Sequence, residues 1–104
     1  MKPIWIVDDD QSIRFVLEKA LAREEFAVRS FTNPRDVLAA LDEDEPQVLV
    51  SDIRMPGGSG IELLSKVRET HPSLPVIMLN AFLKHFPGEV ISGIGHINVI
   101  VDMR

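Results

Sequence analysis

Residues 48–60 read VLVSDIRMPGGSG. Val48, Leu49 and Val50 form a short, continuously apolar run of the kind found in strands covered on both faces, and the run leads straight into Asp52. Pro56, Gly57, Gly58 and Gly60 then turn the chain and let its backbone approach closely whatever sits beside Asp52. A single aspartate after a strand is most often a cap or a turn residue. Its meaning changes if other carboxylates reach the same place.

Working toward the N-terminus, residues 4–7 (IWIV) repeat the pattern: a buried apolar strand, with Trp5 in the core, that ends in Asp8, Asp9 and Asp10. From Ser12 the period changes. Ile13, Val16, Leu17, Ala20 and Leu21 recur at helical spacing while Arg14, Glu18, Lys19 and Arg23 fill the other face, which predicts an amphipathic helix of about three turns. FAVRSF (26–31) reads as a second strand, and TNPRD opens a second helix, with Thr32 or Asn33 as cap, Pro34 in the first turn, and Val37, Leu38 and Leu41 as its buried stripe. The acidic connection LDEDEP (41–46) reads as a solvated charge run.

QVLVS (47–51) is the third strand, and beyond the glycine loop Ile61, Leu64 and Val67 mark a helix ending near Thr70. Pro72 and Pro75 bracket a turn before a fourth strand, PVIML (75–79). Strand and helix thus alternate three times. This predicts an α/β fold: an open parallel sheet with right-handed crossovers, helices on both faces and the flavodoxin-like strand order 2-1-3-4-5. In such a sheet the carboxyl ends of the strands share one edge, where ligands bind. In the tail, Pro87, Gly88, Gly93 and Gly95 break any long helix, residues 89–94 suit a short one, and INVIV (97–101) reads as a fifth strand. No fifth helix follows, so one flank of the sheet is expected to lie bare or to need a partner.

Composition narrows the function. The 104 residues, 45% hydrophobic and 26% charged, fit one globular domain with a single core. A formal net charge of -5 disfavours a nucleic-acid surface, which needs a basic patch, and favours a protein or a cation as partner. With no cysteine there is no disulfide framework and no thiolate chemistry. MKPIWIVDDD has too short an apolar run for a signal peptide, and no stretch approaches the roughly 18 apolar residues of a membrane span, so a cytoplasmic location is expected.

If the first and third strands are neighbours, Asp8 or Asp9 and Asp52 converge at one edge. Like charges held together call for a cation, and Mg²⁺ suits carboxylate and carbonyl oxygens while keeping several waters. A carboxylate beside Mg²⁺ can also act as a nucleophile toward phosphorus.

WIVDDDQSIRFVLEKAL, VLVSDIRMPGGSGIELL and LPVIMLNA together closely resemble the receiver domain of bacterial response regulators, especially the nitrogen-regulatory (NtrC-like) group of σ54 activators. The resemblance covers residues 4 to about 81. It implies Mg²⁺-dependent phosphorylation of Asp52 by a sensor histidine kinase in the service of transcription regulation, without enzymatic turnover beyond self-catalysed phosphotransfer and dephosphorylation. It assigns the metal to Asp9, Asp52 and the backbone carbonyl of Arg54, with Asp8 acting through water; Asp10 is left as a surface or capping residue. No direct contact with nucleic acid or membrane is implied, and the family's output domain is expected to be absent from this chain.

Two departures stand out. Asn80 occupies the position before Ala81 where the family has Thr or Ser as its switch hydroxyl, although its amide can still donate a hydrogen bond. After INVIV come Asp102, Met103 and Arg104 in place of the family's lysine, and Lys84 lies in another element. The tail from residue 82 diverges, as in a truncated, frame-altered or engineered receiver, and is expected to offer a homodimer contact. Two other functions fit some of the residues. One is an interaction or dimerisation module that is not phosphorylated. The other is a haloacid-dehalogenase-like phosphatase using the D-x-D of Asp8 to Asp10, with Asp8 as nucleophile. His71, His85 and His96 lack metal-ligand spacing, Gly93-Ile94-Gly95 is only a fragment of a dinucleotide fingerprint, and Met55, Met78 and Met103 read as packing or loop residues.

Overall fold

The computed structural model describes residues 2–53, 55, 60–83 and 94–102, those from 80 onward by their backbone. Its elements run β1 (Ile4–Val7), α1 (Gln11–Arg23), β2 (Val28–Phe31), α2 (Pro34–Leu41), β3 (Val48–Asp52), α3 (Gly60–Thr70), β4 (Val76–Leu83) and β5 (Ile94–Asp102). The strands form one sheet in the order β2-β1-β3-β4-β5, as the alternation of strand and helix predicts. Among the described residues no helix is long and apolar enough to cross a membrane.

Local chemistry sets the helix boundaries. The Asp10 carboxylate accepts the backbone N–H groups of Ser12 at 2.8 Å and Ile13 at 3.3 Å, satisfying donors that the first turn of α1 leaves open. Asn33 does the same for α2, accepting from the Asp36 N–H at 2.9 Å, with Pro34 in the first turn. α1 ends as the chain passes through Glu25 at φ 64°, a left-handed conformation that glycine usually supplies. Phe26 and Ala27, expected within the second strand, precede it instead. The Ala27 carbonyl accepts the Ile4 N–H at 2.9 Å, and Phe26 packs partly buried against the sheet.

The period of two divides the sheet's apolar side chains between its faces. Trp5, Val7, Leu49 and Met78 pack with Val37 and Leu41 of α2 and with Leu63 and Val67 of α3. Ile4, Ile6, Val50 and Leu79 lie on the opposite face, against Leu17 and Leu21 of α1. One helix therefore covers one face and two cover the other. On α1, Ile13 is buried as its spacing predicts, whereas Ala20 is exposed.

The expected all-parallel sheet needs one correction. β1 pairs parallel with β2 and β3, and β3 parallel with β4, but β5 runs antiparallel to β4. A parallel return requires a crossover of about a dozen residues or more, usually a helix. Only residues 84–93 separate these two strands, and an antiparallel return suits so short a connection. The short helix expected over 89–94 falls on residues outside the described ones except Ile94, which opens β5.

Candidate functional site

Register places the acids. Val7 of β1 pairs with Ser51 of β3, so the residues that follow, Asp8 and Asp52, leave adjacent strands at the same level. Asp8 is 1% exposed and Asp52 9%, both unusual for a carboxylate, while Asp9 is exposed. One oxygen from each of Asp8, Asp9 and Asp52 lies within 4.8 Å of the other two. An octahedron with bonds of about 2.1 Å spans about 4 Å, so this all-oxygen donor set fits a hard divalent cation with small side-chain adjustments.

Burial pushes the Asp8 carboxyl up from 3.8 to about 7. The Asp10 N–H, donating to Asp8 Oδ1 at 2.8 Å, opposes that rise, and the charges of Asp52, Asp9 and Asp10 add to it. At neutral pH the cluster therefore holds a proton readily, and a cation would compete for the same oxygens. Asp10 is the N-cap of α1, so its carboxylate is engaged with that helix and is not one of the three converging oxygens.

Two residues beyond the acids shape the site: Arg14, which the sequence marks only as part of a helix's polar face, and Gly60, one of the glycines expected to allow close approach beside Asp52. The Arg14 guanidinium donates from Nη1 to the Asp8 carbonyl at 2.6 Å, tying α1 to the end of β1. The only clue in the sequence was a cation on the helix that follows the acids. Gly60 is the second. A Cβ there would lie 2.0 Å from the Asp52 carbonyl oxygen, so only glycine allows α3 to start directly beneath Asp52. The Gly60 N–H donates to the Ile53 carbonyl at 2.8 Å, and the Ile53 N–H to the Leu79 carbonyl at 2.9 Å, which ties the start of α3 and the residue after β3 to β4. Buried Ser51 donates its hydroxyl to the Asp52 carbonyl at 3.0 Å.

Asn80 follows Leu79, the residue in register with Asp52, so its backbone stands at the same edge of the sheet. Arg54 lies outside the described residues. The antiparallel course of β5 changes what its ends can reach. Asp102 pairs with Val76, at the far end of β4, whereas Asn98 pairs with Asn80 at the site edge. A lysine placed after this fifth strand would thus stand away from Asp52.

Comparisons agree with this geometry. The profile of the response regulator receiver domain matches residues 4–96, extending past Ala81, where the motif resemblance stops. The transcriptional regulator NtrC of Salmonella typhimurium is 53% identical over 78 residues, covering 75% of this chain and 17% of that protein, so the chain spans only a small part of such relatives. The solution structure of the apo receiver domain of nitrogen regulatory protein C superposes with a TM-score of 0.68 at 52% identity, covering 74% of this chain and 62% of that one. TrrA of Thermotoga maritima, in complex with Mg²⁺ and BeF, gives a TM-score of 0.70 at 29% identity over 73% of this chain and 66% of that one. A complex of TrrA with the histidine kinase ThkA gives 0.73 at 28% identity, over 85% of this chain and 75% of that one. By its sequence, its strand order and its NtrC-type motifs, the chain belongs to the response regulator receiver domain family.

Proposed function

We propose that this chain is a single receiver domain, residues 1–104, that accepts a phosphoryl group on Asp52 in a Mg²⁺-dependent step. The observation that carries the reading is the convergence of Asp8, Asp9 and Asp52 within 4.8 Å at the carboxyl edge of the sheet. An Asp52 carboxylate oxygen attacks the donor phosphorus; the new O–P bond forms as the bond from phosphorus to the donor's leaving group breaks. Asp9, Asp52 and the Arg54 carbonyl would hold Mg²⁺, with Asp8 reaching it through water. When bound, the ion supplies charge neutralisation for the phosphoryl oxygens. Gly60 and Ser51 keep the Asp52 main chain in place, and Arg14 holds the end of β1 that carries the other two acids. In this reading the Asn80 amide would donate to a phosphoryl oxygen in place of the family's hydroxyl.

The donor in this reading is a sensor histidine kinase, a class of partner seen bound to TrrA in its complex with ThkA. The output is control of transcription in the cytoplasm through segments that NtrC relatives carry and this chain does not span. Turnover as a phosphatase with Asp8 as nucleophile is the weaker reading, because burial raises the Asp8 pKa to about 7 and leaves about half of it protonated at neutral pH in the metal-free site, where a nucleophile must be ionised. A receiver that binds its kinase without being phosphorylated has one specific support: β5 carries its C-terminal end away from Asp52.

Incubation with acetyl phosphate and Mg²⁺, read by intact mass, tests the proposal. One phosphoryl group should be gained by the wild-type chain and by Asp8→Asn at a reduced level, and none by Asp52→Asn or in EDTA. A folded wild-type chain that gains nothing would leave only the binding role.

A further inference from the structure

We propose that the outer edge of β5 is a self-association surface that pairs antiparallel with β5 of a second copy about a two-fold axis at Val99. The two edges of this sheet differ. β2 is four residues long and carries Arg29, and short, charged edge strands resist further pairing. β5 is nine residues long and, among the described residues, has no strand on its outer side. From His96 to Asp102 it pairs without interruption with β4, from Phe82 back to Val76. The register then slips past Gly95, so that Leu83 pairs with Ile94. The bulge leaves a clean seven-residue edge, HINVIVD, with no proline, lysine or arginine.

An edge of this kind offers alternate backbone N–H and C=O groups, which are satisfied by another strand. The order of residues indicates that the strand is a second copy. A two-fold axis at Val99 brings His96 opposite Asp102 of the other copy, Ile97 opposite Val101, Asn98 opposite Ile100, and Val99 opposite itself. The period of two places Ile97, Val99 and Val101 on one face of the strand, so apolar residues meet apolar residues across the axis. His96 and Asp102 are the only ionisable residues of the edge, and they fall opposite one another twice, once on each side of the axis. Moving the axis to Asn98 would instead set Asp102 against Ile94, beyond the bulge. Such an isologous contact closes on itself and joins two sheets into one of ten strands.

The proposal does not depend on the phosphoacceptor reading, and its test uses the whole chain in buffer free of Mg²⁺ and phosphoryl donor. Sedimentation equilibrium should give twice the 11.6 kDa of one chain at high micromolar concentration. Val99→Lys, which sets two cations across the axis, should restore the single-chain mass. The chain has no cysteine, so Val99→Cys can be oxidised without competition and compared with Ser30→Cys on the β2 edge. Disulfide-linked dimer should form roughly a hundredfold faster in Val99→Cys, reflecting the effective concentration of paired residues. Emission from the buried Trp5 reports whether each variant is folded. A wild-type chain that stays monomeric, or equal oxidation rates in the two folded cysteine variants, would overturn the proposal. If either variant at Val99 fails to fold, the wild-type mass decides alone.

Discussion

Replacing Asp8 by Asn should stabilise the metal-free protein, and do so only above acidic pH. Asp8 is buried beside two other carboxylates, which raises its pKa from 3.8 to about 7. Each unit corresponds to about 1.4 kcal/mol, so ionising Asp8 in the folded state costs at most about 4 kcal/mol relative to the unfolded chain. Side-chain relaxation and water at the sheet edge screen part of this, leaving about 1–3 kcal/mol. The sign follows from proton counting. Between pH 4 and 7 the folded state holds a proton on Asp8 that the unfolded state has released, so this group's contribution falls as pH rises through that window and is flat above it. The Asn amide oxygen can still accept the Asp10 N–H, now at 2.8 Å, but carries no charge. Urea unfolding in EDTA, followed by fluorescence of Trp5, the only tryptophan, measures the effect. At pH 8 Asp8→Asn should gain about 1–3 kcal/mol, roughly 5–15 °C in Tm for a domain of this size, and most of the gain should be gone at pH 4.5. Mg²⁺ should then stabilise the wild type more than the variant, because the ion binds the ionised cluster. A gain of equal size at both pH values, or none at pH 8, would show that burial of the Asp8 charge is not the cause.

Three further outcomes follow from named contacts. Gly60→Ala, whose Cβ would lie 2.0 Å from the Asp52 carbonyl oxygen, should cost about 3 kcal/mol and slow phosphoryl incorporation, measured by urea unfolding and intact mass. Glu25→Gly removes a side chain from a φ of 64° and should raise stability by about 1 kcal/mol, seen as a higher urea midpoint at unchanged slope. Asp102→Lys, which puts a lysine at the end of the fifth strand, should leave the extent of phosphoryl incorporation within error of wild type, because Asp102 pairs with Val76 at the end of β4 away from Asp52.

Much of the architecture could be read from the sequence because it is written in periods and caps. The apolar runs at 4–7 and 48–50 suit short strands buried on both faces, and the order of strands and helices leaves few ways to arrange them. Asn33 with Pro34 declares a helix start without help from the rest of the fold. The meeting of Asp8 and Asp9 with Asp52 was legible for the same reason, since parallel neighbours put their carboxyl ends together. The direction of β5 was not. INVIV has the same apolar pattern whichever way it runs, and its orientation depends on the length of the connection and on the free edge of β4. The link from Arg14 to the Asp8 carbonyl and the contact of Gly60 with Asp52 also depended on packing. Sequence alone determined which residues are apolar, which are acidic and at what period they recur, because those properties belong to each residue and its near neighbours. Tertiary structure alone decided how deeply Asp8 is buried, what meets its carbonyl and which way the last strand lies, because burial, contact and direction arise only when distant segments share a surface.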